Sequence, residues 1–136
     1  MRLKKGVREL VSEAEKEISS MAVNEAVKNH GKDNFIFVDI RDVRELERDG
    51  MIPGAFHAPR GLLEFWVDPD SPYYKDIFGD PQKTYILYCA SAWRSALATK
   101  ALKDMGLENV VHFAGGLKGW KEVGGPIAQK AIRNKN

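Results

Sequence analysis

The chain has 136 residues, of which 43% are hydrophobic and 29% charged, as is typical of one globular domain with a buried core. Its formal net charge of +2 comes without a basic cluster, which excludes the usual pattern of a nucleic-acid-binding domain. No apolar run is long enough to cross a membrane, and no secretory signal is recognisable. The only cysteine, Cys89, excludes an internal disulfide and cysteine-rich metal clusters, so we expect a cytoplasmic, reducing location.

The first predicted element is an amphipathic helix that runs from Val7 to Ile18. One face of this helix is apolar: Val7, Leu10, Val11, Ala14 and Ile18. Packing against its own domain is the favoured interpretation, and a homodimer contact is the alternative. A second, short helix is predicted from Val23 to Asn29, where Gly31 ends it.

A continuous apolar run at 35–38 predicts a strand that is covered on both faces. Asp39 and Arg41 follow it, and we favour a structural ion pair or backbone clamp over a role at the rim of a site. Asp42 and Glu45 have the spacing of a capping box, which predicts a helix as far as Asp49. A Pro-Gly turn then leads into a short strand at 55–57.

Residues 59–83 are the least regular part of the sequence. Helical turns are predicted near 62–66 and 73–79, with a Pro- and Asp-rich loop between them. The segment is rich in aromatic residues: Phe65, Trp66, Tyr73, Tyr74 and Phe78. Core packing is the favoured interpretation, and a wall at the entrance of a site is the alternative.

The last third of the chain alternates between strand and helix patterns. Strands are predicted at 85–88 and 110–113, and a helix between them has an apolar stripe of Leu97, Ala98, Ala101, Leu102 and Met105. Gly106 should end that helix in the left-handed conformation, with Leu107 packing on Leu102. A Gly-Gly turn at 115–116 starts a final short helix that ends near Val123, with Trp120 packed inward. The three histidines, His30, His57 and His112, lack metal-ligand spacing and are predicted to be structural.

Cys89 is predicted to lie at the carboxyl end of a strand, in a tight turn that leads into a helix. Open α/β sheets bind ligands at this edge. Unpaired backbone N–H groups and the helix dipole favour an anion there, so the thiolate form of Cys89 should be stabilised. Arg94 can close over the same site and bind an oxyanion through two hydrogen bonds. The alternative is that Cys89 is an inert core residue.

Three motifs in sequence order resemble the rhodanese family. The loop reads Cys89-Ala90-Ser91-Ala92-Trp93-Arg94-Ser95, which resembles the family's active-site loop Cys-x-x-Gly-x-Arg-Ser/Ala. Upstream, Val-Asp-Ile-Arg at 38–41, Glu-Leu at 45–46 and Gly-Met-Ile-Pro-Gly-Ala at 50–55 resemble Val-Asp-Val-Arg, Glu-aromatic and Gly-His-Ile-Pro-Gly-Ala. Downstream, Gly-Gly-Leu-Lys-Gly-Trp at 115–120 resembles the terminal Gly-Gly-x-x-x-Trp, and Gly-Pro-Ile follows at 125–127.

The resemblance implies an α/β fold, in which a five-stranded, mainly parallel sheet is flanked by helices on both faces. We expect an N-terminal helical extension at 1–17, the rhodanese-like domain at 18–128 and a polar, frayed tail at 129–136. A short edge strand is expected at 19–21. The departures are Ala92 at the loop's usual glycine position, Met51 for histidine and Leu46 for an aromatic residue. If residue 92 is left-handed, alanine costs about 1 kcal/mol there.

The resemblance also implies sulfane-sulfur transfer from thiosulfate or another persulfide donor to a thiol or cyanide, without a metal or cofactor. Cys89 would be the nucleophile and Arg94 the group that holds the donor. Substrate contacts are expected from Ala90, Ser91, Ala92, Trp93 and Ser95, and support from Asp39 and Arg41. A phosphatase or arsenate reductase of the same fold is one alternative, although its loop has five residues between Cys and Arg and this loop has four. A non-catalytic binding module is the other.

Overall fold

The computed structural model describes residues 1–132. Its sheet has the strand order β1-β5-β4-β2-β3, and every pair of neighbouring strands is parallel. The strands are β1 (Ser20–Met21), β2 (Phe35–Asp39), β3 (Phe56–His57), β4 (Thr84–Tyr88) and β5 (Val110–Phe113). The predicted five-stranded α/β architecture is confirmed, including the short edge strand near residue 20.

Six α-helices connect and cover these strands in the described part of the chain. They are α1 (Val7–Glu17), α2 (Val23–Asn29), α3 (Val43–Asp49), α4 (Leu63–Val67), α5 (Trp93–Asp104) and α6 (Gly116–Glu122). Two short 3-10 helices lie at Arg60–Leu62 and Asp76–Gly79. None of the helices in residues 1–132 is long and apolar enough to span a membrane.

The core lies on both faces of the sheet, because strands that are covered on both faces present apolar side chains in both directions. On one face, residues such as Leu87 pack with Leu63 of α4 and Leu102 of α5. On the other, Phe37 and Ile86 pack with Trp120 of α6, which is fully buried. The predicted inward position of Trp120 and the helices on both faces are therefore confirmed.

The central register aligns the carboxyl ends of strands β2 and β4. Strands β2 and β4 pair from Phe35 opposite Thr84 to Asp39 opposite Tyr88, so both strands end at the same level. Asp42 and Glu45 form the predicted capping box at the start of α3. The first turns after β2 and β4 therefore lie side by side at the carboxyl edge.

The ends of α5 show where local patterns determined the structure. Gly106 adopts a φ of 102°, and the Leu107 N–H donates to the Leu102 carbonyl at 3.0 Å, as the left-handed termination predicts. The predicted apolar stripe is wrong at its last residue, since Met105 is 44% exposed. The buried residues of α5 include Ala98 and Leu102 of the predicted stripe, and also Ser95, Ala96 and Thr99, which lie outside it.

The burial of Ala96, outside the predicted stripe, arises because α1 packs against α5. Val11 and Ala14 of α1 are buried against Ala96, with Ile18 alongside. Packing of the extension on its own domain is thus confirmed, but Val7 and Leu10 are 51% and 41% exposed and do not share the buried face. The small side chains of Ala14 and Ala96 allow the two helices to pack against each other here.

The aromatic segment at 59–83 divides between core and surface. Phe78 is buried against Phe56 and Tyr85, which confirms core packing at that position. Phe65 and Tyr73 contact each other edge to face and are more than half exposed. After α6, Ala128 forms an isolated antiparallel bridge with Met51, and residues 129–132 have no regular structure. The predicted fraying of the tail concerns residues 133–136 as well, and these lie outside the described part of the chain.

Candidate active site

Cys89 follows β4 directly, and α5 begins four residues later at Trp93. The chain reverses through Ala92, which has a φ of 77° and is the only described non-glycine residue with a positive φ. The Ser95 N–H, in the first turn of α5, donates to Cys89 Sγ at 3.3 Å. The loop therefore turns back on its own sulfur and places a backbone donor against it, as the sequence predicted for an anionic sulfur.

The start of α6 supports this loop from behind. The Leu117 and Lys118 N–H groups donate to the carbonyls of Cys89 and Ala90 at 2.8 and 3.1 Å. Gly116 has a φ of 58°, and a Cβ there would lie 2.6 Å from the backbone of Ala90. Only glycine allows this approach, which explains the Gly-Gly motif physically. The two glycines bring a helix start against the backbone of the loop.

Arg94 has a different immediate partner from the one the sequence analysis expected. Its two terminal nitrogens donate to both oxygens of Glu45 at 2.8 and 2.9 Å. The Arg94 side chain is 44% exposed and that of Glu45 is 18% exposed. The hydrogen bond from Arg94 lowers the pKa of Glu45 against the opposing effect of partial burial, and the same bond raises the pKa of Arg94. The Glu45 carboxylate thus occupies the guanidinium nitrogens for which the sequence predicted an oxyanion.

Glu45 is the site residue whose second role the sequence did not reveal. Its carboxylate also accepts from the Asp42 N–H at 3.3 Å, which closes the capping box of α3. The capping box alone explains a glutamate at position 45. Glu45 also lies in the motif that resembles the rhodanese family, which was a signal for a further role, but no local pattern linked it to Arg94.

Asp39 and Arg41 form the ion pair that the sequence analysis favoured. Arg41 Nε and Nη2 donate to the two Asp39 oxygens at 3.0 and 2.7 Å, and Nη2 also donates to the Gly50 carbonyl at 2.7 Å. Both side chains are buried. The pair fixes the turn after β2 to the end of α3, next to the loop.

Behind the cysteine, Ser95 and His112 form a buried polar pair. Ser95 Oγ and His112 Nδ1 are hydrogen-bonded at 2.9 Å, and burial lowers the pKa of His112 to about 4. His112 is therefore neutral near pH 7. His30 and His57 each contact a backbone carbonyl, as structural histidines should, whereas His112 Nε2 has no partner among residues 1–132. The pair holds the residue whose N–H contacts the sulfur.

The remaining loop residues all have some exposure to solvent. Ser91 and Trp93 are exposed, and Ala90 and Ala92 are partly buried. The Arg8 guanidinium lies 5.8 Å from the centre of a Trp93 ring, so α1 reaches the loop through a cation–π contact that the sequence did not predict. No group of three or more metal-binding side chains comes together within residues 1–132.

Comparison with known proteins agrees with this geometry. Residues 22–123 match the model of the Rhodanese-like domain. The chain belongs to the rhodanese-like family. It is 41% identical over 105 residues to an uncharacterized protein of Synechocystis, an alignment that covers 77% of this chain but only 51% of that relative. The chain thus spans about half the length of that relative.

Two solved structures of the same fold differ in their described activity. A protein of unknown function from Rhodopseudomonas palustris, described as a possible tyrosine phosphatase, is 45% identical with a TM-score of 0.90, covering 94% of this chain and 98% of that chain. A thiosulfate sulfurtransferase from Pseudomonas aeruginosa is 25% identical with a TM-score of 0.76, covering 93% of this chain and 23% of that chain. Rhodanese-like relatives of this chain therefore include a sulfurtransferase and a phosphatase-like protein.

Proposed function

We propose that this rhodanese-like protein is a sulfurtransferase that carries sulfane sulfur as a persulfide on Cys89. The observation that carries the proposal is the closure of the loop on its own sulfur, with the Ser95 N–H 3.3 Å from Sγ and the turn made at Ala92. Only four residues separate Cys89 from Arg94, and a loop of this length suits a small anion better than a tetrahedral phosphate. A terminal persulfide sulfur is such an anion.

The first step is attack of the Cys89 thiolate on the outer sulfur of thiosulfate. The bond between the two donor sulfurs breaks, and sulfite leaves with its electron pair. The product is the anion Cys89–S–S⁻, which loop N–H groups stabilise without a metal. In the second step a nucleophilic acceptor, cyanide or a thiolate, attacks the terminal sulfur. The Cys89 thiolate then leaves and the site is restored.

Arg94 would hold the donor sulfonate in this scheme. Its guanidinium already binds a carboxylate, Glu45, through two parallel hydrogen bonds, and a sulfonate presents oxygens that can accept in the same way. Because the Arg94 side chain is 44% exposed, a donor can approach the guanidinium from solvent. The leaving sulfite would be released from the same fork.

A phosphatase or arsenate reductase remains the second candidate. It is favoured by the 45% identity to the Rhodopseudomonas palustris protein described as a possible tyrosine phosphatase. The loop length speaks against it, since four intervening residues give a narrower loop than the five expected for a tetrahedral phosphate. A binding module without catalysis is the third candidate. The presence of both Cys89 and Arg94 speaks against it.

Intact mass measurement tests these candidates directly. The protein is incubated with thiosulfate and weighed before and after a thiol reductant, beside Cys89→Ser. A gain of one sulfur atom that the reductant removes and the variant lacks supports the persulfide enzyme. No adduct together with Cys89-dependent hydrolysis of an aryl phosphate would establish the phosphatase. Absence of both activities in a folded protein would leave the binding module.

A further inference from the structure

Ser95 contacts three separate parts of the active site. Its backbone N–H donates to Cys89 Sγ at 3.3 Å, and its hydroxyl oxygen lies 3.2 Å from the Ala92 carbonyl oxygen and 2.9 Å from His112 Nδ1. Ser95 and His112 are both buried, so solvent does not compete for these hydrogen bonds. Ser95 therefore connects the sulfur, the left-handed turn at Ala92 and strand β5, on which His112 lies.

The two contacts of the hydroxyl determine which nitrogen of His112 carries the proton. A hydroxyl has one proton and can donate it either to the Ala92 carbonyl or to His112 Nδ1. The carbonyl can only accept, so both contacts are satisfied only when the hydroxyl donates to Ala92 and His112 Nδ1–H donates to Ser95 Oγ. In this tautomer the buried Nε2, which has no partner among residues 1–132, is an acceptor. Buried N–H groups without a partner are rarer than buried acceptors without one.

This chain of hydrogen bonds ends on the residue that makes the turn. Ala92 precedes α5, and its side chain cannot accept the Ser95 N–H as a serine or aspartate at that position would, so Cys89 Sγ accepts it instead. The Ala92 carbonyl receives two donors, the Ser95 hydroxyl and the Ala96 N–H, the latter at 3.1 Å. These donors fix the peptide group at which α5 begins, and with it the position of the N–H that contacts the sulfur.

We propose that His112 is a positioning residue for the reaction at Cys89, acting through the Ser95 hydroxyl and the Ala92 carbonyl to hold the Ser95 N–H against the sulfur. Its effect on the rate rests on the sulfurtransferase function proposed above, whereas the hydrogen-bond chain does not. A displaced N–H stabilises the sulfur anion less, so loss of the chain should slow persulfide formation. Binding of thiosulfate should not change, because the proposed contact for its sulfonate is Arg94.

The test measures the maximum rate of persulfide formation and the thiosulfate concentration that gives half of it. His112→Leu removes the Nδ1 donor and should lower the maximum rate about fivefold, as expected for one hydrogen bond, with less than about a twofold change in the half-saturating concentration. Ser95→Ala removes both contacts of the hydroxyl and should lower the maximum rate by at least as much. His112→Leu should have no further effect in the Ser95→Ala background, because His112 acts through that hydroxyl.

Two more variants separate positioning from a loss of packing. His112→Asn carries an amide N–H where Nδ1 lies, and it should restore the maximum rate to within about twofold of the wild type. Thr99→Val is the matched control, because it removes another buried hydroxyl of α5, one whose oxygen has no hydrogen-bond partner among residues 1–132. It should leave the rate unchanged. An equal fall in Thr99→Val, additive effects of Ser95→Ala and His112→Leu, or no recovery in His112→Asn would overturn the positioning role.

The tautomer of His112 gives a test that needs neither a variant nor sulfur transfer. Nitrogen-15 NMR of the wild-type protein near pH 7 should show Nδ1 protonated and Nε2 unprotonated. The opposite tautomer would overturn the hydrogen-bond chain, and the positioning role with it. Failure of the wild-type protein to form a persulfide would instead overturn the sulfurtransferase function and the rate effect expected here, while the NMR result would still decide whether the chain exists.

Discussion

Two arginine–carboxylate pairs lie at the same edge of the sheet, and each is held by two hydrogen bonds of similar length. Arg41 meets Asp39 through two hydrogen bonds of 2.7 and 3.0 Å, and Arg94 meets Glu45 through two of 2.8 and 2.9 Å. Their surroundings differ. The first pair is 1% and 0% exposed, whereas the second is 44% and 18% exposed.

The difference separates a structural pair from one that can exchange partners. Arg41 has a third contact, the Gly50 carbonyl, and removal of either charged side chain would leave the other buried charge uncompensated. Arg94 meets solvent, and the proposed function requires that an anionic donor replace Glu45 there. The chemistry of the two pairs is the same, and burial decides which one is available to a ligand.

The largest effect is expected from Asp39→Asn. The substitution keeps the shape of the side chain but leaves the buried Arg41 without a counter-charge, so the free energy of unfolding should fall by about 3–5 kcal/mol. Urea denaturation measures it. Asp49→Asn, in the exposed pair with Arg48, is the control and should change stability by less than about 1 kcal/mol. Equal effects of the two substitutions would contradict the structural role of the buried pair.

Arg94→Ala should act on activity rather than on stability. Loss of the fork should slow persulfide formation from thiosulfate about 100-fold, in line with removal of a donor to a developing oxyanion. The free energy of unfolding should change by about 1 kcal/mol, because Arg94 is 44% exposed and Glu45 keeps the Asp42 N–H as a partner. Arg94→Lys keeps the charge but not the two parallel hydrogen bonds, so it should recover only part of the rate. A rate that Arg94→Ala leaves unchanged would rule out this role.

Ala92→Gly should stabilise the loop that carries Arg94. Ala92 has a φ of 77°, where alanine is less favourable than glycine by about 1 kcal/mol. The gain is partly offset because glycine adds entropy to the unfolded chain. Thermal denaturation should show a small rise in Tm, and Ala90→Gly, in the same loop, serves as control and should not stabilise. A lower Tm for Ala92→Gly would show that the left-handed turn is not strained.

The smallest effect is expected from Glu45→Gln, which keeps an acceptor for the capping box and weakens only the ion pair. Arg94 holds the pKa of Glu45 below its ordinary value of 4.5. The pair therefore contributes stability above that pH, and the contribution is lost as the pH falls through the lowered value. The variant should be less stable than the wild type by under about 1 kcal/mol near neutrality. The two curves should converge in acid, and a constant difference in urea titrations would refute the linkage.

Local sequence patterns predicted most of the elements and the position of the cysteine. The capping box of Asp42 and Glu45, the left-handed termination at Gly106 and the apolar runs of the strands each depend on residues a few positions apart. Their physics is contained in a short window, so the sequence alone determined these elements and the turn in which Cys89 lies. The five-stranded sheet was expected from the resemblance of three motifs to the rhodanese family.

The partners of the side chains at the site were decided only by the tertiary structure. Glu45 and Arg94 are 49 residues apart, and Ser95 and His112 are 17 apart. No local pattern relates them, because their contact depends on which strand ends the sheet register brings to one edge. The same holds for α1, which packs on α5 and buries Ala96. The sequence determined which residues could do the chemistry, and the sheet decided which of them meet.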